Sequence, residues 1–141
     1  MNVTVGAQNF AFIGGSLGAA AGEALEAFSA AYSQVSEDGS GNFIFAPQAY
    51  DAVMLMAISA AANGVTGPEI AAGLVAASSG GEKCIGVACI ALAADGVDVD
   101  YVGASGEIEL NEAGDPTAAT YDIWTTEGDV NPVLKSVDFG S

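Results

Sequence analysis

The stretch APQAYDAVMLMAISAAANG, residues 46–64, constrains the fold more than any other part of the chain. Pro47 opens a helix well, because a missing N–H costs nothing in the first turn. Asn63-Gly64 supplies a C-terminal stop. The predicted helix spans 47 to about 62, and its polar positions are Gln48, Asp51 and Ser59 alone. Tyr50, Val53, Leu55, Met56, Ala57 and Ile58 cover most of its circumference, whereas a surface helix normally keeps a broad wet face. Such a cylinder must pack on several sides. A 141-residue chain buries roughly 70% of its unfolded surface, so the helix implies protein mass around it beyond what so short a body offers.

The neighbouring segments read as further helices. Leu17, Ala21, Leu25, Phe28 and Tyr32 recur at helical steps, predicting a helix over 17–34 with Ser16 as its N-cap. A turn is expected at 37–42, then a short buried strand at Phe43-Ile44-Phe45. Thr66 and Glu69 form a capping box around Pro68, predicting a helix over 67–77. A loop at 78–83 and a short helix at about 87–94, ending near Asp95-Gly96, follow. Residues 107–110 alternate, 111–116 read as a turn, and 119–125 alternate again, which predicts a β-hairpin. The chain is expected to be one domain, 1–141, with a helical part at 16–95 and a hairpin part at 99–128. The class is α/β, or α+β if the piece stands alone, with three or four helices before the hairpin.

Charge excludes some partners. Eighteen acidic residues face only Lys83 and Lys135, with no Arg and no His, for a formal charge of −16. Two cations cannot neutralise a run of phosphates, so nucleic acid and anionic membrane surfaces are not expected partners. Acidity of this kind suits solubility in a salty or extracellular medium. The longest weakly polar runs are interrupted and fall short of the roughly 20 apolar residues a membrane span needs. The start MNVTVGAQNF lacks the basic region of a signal peptide, so either a leader has been removed or the chain is part of something longer.

Several patterns suggest chemistry and have simpler explanations. Gly14, Ser16 and Gly18 match the nucleophile-elbow spacing between an apolar run and a helix. The serine has no histidine to take its proton, and spacing gives Lys83 or Lys135 no such role, so the helix-cap reading is preferred. Asp98, Asp100, Gly103 and Glu109 overlap the EF-hand calcium loop at positions one, three, six and twelve. Position five is Val102, without a side-chain oxygen, and a strand-edge turn is the expectation. Gly18 and Gly22 make a G-x-x-x-G that permits close helix packing. Cys84 and Cys89 lack the further ligands of a zinc site. In an exported protein they make a small-loop disulfide, and in a reducing compartment two small buried residues. No acid stands where an apolar setting would raise its pKa. No cofactor, metal or catalytic activity is expected.

Taken in order, AFSAAY, APQAYDAVMLMAISAA, the NG-x-x-x-x-EIAAGL helix, the cysteine pair, DGVDVDYVGASG and EIELNEAGDPTAATYDIW resemble the C-terminal third of the type I periplasmic binding proteins. Within that family they look like the branched-chain amino-acid and amide transporter group. The resemblance covers about residues 25 to 128. It implies a partial two-lobe binding protein in which the Tyr50 helix packs onto one lobe's parallel sheet, most of which comes from earlier chain. It also implies a cleft wall at the segment before that helix, carried here by Phe45, Ala46 and Gln48. Tyr50 and Asp51 are expected to pack or cap.

The resemblance implies a periplasmic or extracellular location, a Cys84–Cys89 disulfide, a small polar solute such as an amino acid or amide, and an ABC permease as partner. The alternative is a self-associating extracellular structural protein. It would bury the over-apolar helix and the hairpin edges, 107–110 and 119–125, in an oligomer or filament.

Overall fold

A computed structural model of the chain describes residues 14–17, 23–36, 45–124 and 132–139. The fold is α/β. In chain order it runs β1 (Gly14–Leu17), α1 (Glu23–Val35), α2 (Ala46–Asn63), α3 (Gly67–Ala77), β2 (Glu82–Ile85), α4 (Ala88–Ala94), β3 (Val99–Gly103), β4 (Gly106–Glu107), β5 (Ala119–Trp124) and β6 (Val133–Phe139). The expected turn at 37–42, Phe43 and Ile44 of the expected strand, and the Gly18–Gly22 motif lie outside the described residues.

Three helices form where local chemistry places them. Pro47 lies in the first turn of α2, and the Gly64 N–H closes its end on the Ala60 carbonyl. At the head of α3 the Thr66 N–H and hydroxyl both donate to Glu69 Oε2, at 2.9 and 2.7 Å. The Thr66 hydroxyl, then its N–H, pull the Glu69 carboxyl below its usual range. The turn that ends α4 closes through the Asp95 and Gly96 amides.

Elsewhere the structure corrects the sequence expectations. Gly14–Leu17 is a strand, antiparallel to β5 with Ser16 opposite Asp122, so Ser16 does not cap a helix. α1 starts at Glu23, where glycine gives way to the strong helix formers of EALEA. Glu82–Ile85, whose first two residues were expected in the 78–83 loop, is a strand parallel to β3, joined to it by α4 in a compact βαβ unit. The turn at 111–116 does bring the chain back on itself: Thr117 N–H donates to the Glu109 carbonyl, and Leu110 bridges Pro116. That ladder goes no further, because Pro116 has no N–H to extend it. β5 instead pairs with β1 on one side and β6 on the other, giving the order β1-β5-β6, beside a mixed sheet β2-β3-β4.

The core lies between α2, α3, α4 and the mixed sheet. Met54, Leu55, Ile58, Ala77, Cys84, Cys89, Ala93, Val99 and Tyr101 are buried together. α2 and α3 approach closely at Gly73, where a Cβ would overlap the Asn63 amide and the Ser59 hydroxyl. Ser59 donates to the Ile70 carbonyl at 2.7 Å, so its burial leaves no unmet donor.

α2 is two-sided in an unusual way. Pro47, Asp51, Met54, Leu55, Ile58 and Ser59 are buried, while Val53 and Met56 are 60% and 44% exposed in line with exposed Ala49 and Ala52. The helix is covered on one side and bare and apolar on the other.

Candidate ligand-binding site

The head of α2 carries the three residues expected at a cleft wall, and helical spacing gathers them within one turn. Phe45 precedes the helix at φ 61°, a left-handed conformation rare for a bulky residue, with its side chain 55% exposed. Its carbonyl accepts the Ala49 N–H at 3.0 Å, the first hydrogen bond of α2. Ala46 and Gln48 are half-buried. The Gln48 side-chain oxygen is itself buried and accepts no hydrogen bond. A buried acceptor without a donor is costly, by about 1–3 kcal/mol, and native structures satisfy nearly all such groups. An N–H of a solute or an O–H of a water would satisfy this one.

Beneath that turn lies a residue whose role sequence reasoning missed. Asp51 is 2% exposed and is the sole charged residue of α2. Its Oδ1 accepts the Tyr101 hydroxyl at 2.8 Å and the Ala104 N–H at 2.7 Å. Its Oδ2 accepts the Ser105 N–H at 2.7 Å and the Ser105 hydroxyl at 2.6 Å. Four donors from one short stretch, 101–105, replace the water that a buried carboxylate requires. Gly103 makes room, because a Cβ there would stand 2.5 Å from Asp51 Oδ2. Burial first, and the Asp51 charge second, push the Tyr101 phenol well above its ordinary range. A lone charge in an otherwise neutral 18-residue helix was the available signal.

The remaining sequence-marked residues fall elsewhere. Cys84 and Cys89 are joined as a disulfide, Cα–Cα 5.5 Å, tying the exit of β2 to the first turn of α4. Asp100 faces Lys83 across β2 and β3 at 3.5 Å, and Lys83 also meets Glu107 at 2.8 Å. The hydrogen bond to Glu107 leads in raising the Lys83 pKa. Asp98 uses its carbonyl to hold the Glu82 N–H, and Glu109 uses its own to hold Thr117. Among the described residues no three acidic, Cys or His side chains gather as a metal would require. Ser16 lies within β1 and not on the strand-to-helix turn that a nucleophile elbow needs. At the other end of α2, a cleft of about 270 Å³ opens between Ile58, Asn63, Gly73, Ala77 and Val97.

The α/β fold is consistent with a partial lobe of a periplasmic-binding-protein-like domain. The profile of the receptor family ligand binding region matches residues 3–129, and the chain belongs to that family. No curated protein and no solved structure matches the chain. The family makes this a ligand-binding domain, for which a small molecule is the fitting ligand. Among the described residues no helix is long and apolar enough to cross a membrane.

Proposed function

We propose that the chain is the ligand-capturing segment of an extracytoplasmic solute-binding protein. It takes up an amino acid or related small polar solute for an ABC importer, without catalysing a reaction. Phe45, Ala46 and Gln48 form its part of the cleft wall. The observation that carries this reading is the buried, unpartnered Gln48 oxygen at the head of α2, within a chain of the ligand-binding family. Gln48 as a whole is half-buried, so a small turn of its amide brings that acceptor to a solute with N–H groups, which amino acids and amides both carry. The disulfide supports an oxidising compartment, as outside the cytoplasm. Calorimetric titration with leucine, simple amides and urea tests the proposal. Saturable heat with one class, weakened by Gln48→Met, is the expected result, and flat titrations across all three remove solute capture from this chain.

A second reading, self-association, draws on the bare stripe of Ala49, Ala52, Val53 and Met56. It has no charge, so it is where two copies of an acidic chain would repel least. Sedimentation equilibrium separates the readings: an oligomer dissolved by Val53→Glu supports association through α2, and a monomer at all concentrations dismisses it.

A further inference from the structure

We propose that Asp51 is a positioning residue that makes the first turn of α2 and the β3–β4 turn one mechanical unit. The orientation of Phe45, Ala46 and Gln48 is then set through Asp51, by residues 101–105. This rests on the reading of those three residues as ligand-facing.

The geometry carries the inference. Each Asp51 oxygen holds two donors, so the carboxylate is fixed in direction as well as in place. All four donors are neutral and come from one five-residue stretch, which makes the attachment directional where a cation would give a diffuse one. Asp51 lies three residues after Gln48, on the adjoining part of the same helix face. Between them the chain is helical, and Pro47, just before Gln48, stiffens the first turn by its fixed φ. Rotation or sliding of α2 that re-aimed Gln48 would therefore have to break bonds to Tyr101 and Ala104. Both are almost fully buried, at 1% and 2%, where water cannot replace the lost acceptor. The contact of Phe28 with Tyr50, ring centroids 5.4 Å apart, braces the same turn from α1.

The coupling is tested by native-state amide exchange on the whole chain, with the perturbation placed on the side away from α2. Tyr101→Phe keeps the ring and deletes one donor, and Ser105→Ala deletes another at a half-buried position should the first variant lose its fold. The Ala49 N–H, bonded to Phe45, reports the ligand-facing turn. The Cys89 N–H, bonded to Gly86, reports a remote site. The expected result is faster exchange at Ala104 and Ala49 together, by about tenfold for one lost hydrogen bond to a charged acceptor, with Cys89 unchanged. Faster exchange at Ala104 and Ser105 with Ala49 unmoved overturns the proposal. So does equal acceleration at Cys89, which marks general loosening. Calorimetry with L-leucine on wild type and Tyr101→Phe adds the functional arm. Weaker binding by the variant, while it remains folded, supports positioning, and equal affinity overturns it. A wild type without binding heat sinks the proposed solute capture alone and leaves exchange to judge the coupling.

Discussion

Adding one methyl group at Gly103 probes the buried carboxylate directly. A Cβ at this position would lie 2.5 Å from Asp51 Oδ2, 2.6 Å from Asp51 Cγ and 2.7 Å from Ile108 Cδ1. Ordinary contacts sit near ~3.5–4.0 Å, so the neighbours must move. The Ile108 methyl is the end of a flexible side chain and yields. The Asp51 carboxylate does not, because four hydrogen bonds hold it. Gly103→Ala is therefore expected to cost about 1–3 kcal/mol, the range for overpacking a well-filled site. Gly67→Ala is the control. It lies in the first turn of α3 with nothing within 4 Å, and is expected to be neutral or to stabilise by about 0.4–1 kcal/mol.

Asp51→Ala alone leaves the Tyr101 and Ala104 donors dry, at about 1–3 kcal/mol each, and so costs about 2–6 kcal/mol. In that background the methyl at 103 meets empty space and its cost falls toward zero, giving a coupling of about 1–3 kcal/mol. Equilibrium unfolding in urea measures all four corners of the cycle. Guanidinium chloride is unsuitable, since as a salt it screens the charges of so acidic a chain. An equal cost for Gly103→Ala with and without Asp51 would refute the reasoning.

Three further outcomes follow from the same geometry. The folded state keeps the Tyr101 proton that the unfolded chain releases near pH 10.0, so the stability this residue contributes is intact below that pH and lost above it. The loss runs at about 1.4 kcal/mol per pH unit, and thermal melts above pH 10 should show wild type losing stability faster than Tyr101→Phe; parallel slopes would count against the buried phenol. Replacing both Cys84 and Cys89 by Ala should cost about 2 kcal/mol on the loop-entropy account, with no thiol titrating in the oxidised wild type; unchanged stability would discount the staple. Sodium chloride added from low to moderate concentration should raise the melting temperature, because a charge of −16 repels itself until screened. A salt-independent melt would contradict that.

What the sequence disclosed and what it withheld divide along the range of the interactions. α2, α3 and α4 were legible because their ends are written locally, in Pro47, Asn63-Gly64, the Thr66–Glu69 box and Asp95-Gly96. The start of α1 was not, since Leu17, the first of its apolar steps, is held instead in β1 opposite Tyr121 of β5, more than a hundred residues away. β2 escaped notice because only Cys84 of its four residues faces inward, leaving no alternation to read. β5 showed its strand character but not its partners, which sit at 14–17 and 133–139. At the candidate site, Phe45, Ala46 and Gln48 were placed by order along the chain. The partners of Asp51 were invisible, because its four donors lie fifty residues downstream and two of them are backbone amides that any sequence supplies. The burial of α2 is two-sided, with Leu55 and Ile58 covered and Val53 and Met56 exposed.

The most direct test of the account is amide exchange of the wild-type chain with and without a saturating mixture of free amino acids. Slower exchange at Ala49, at the head of α2, together with Ala104 below it, is the result expected of a ligand held by this turn. Unchanged exchange at both, or protection confined to the opposite end of α2 around Asn63 and Gly73, would contradict it.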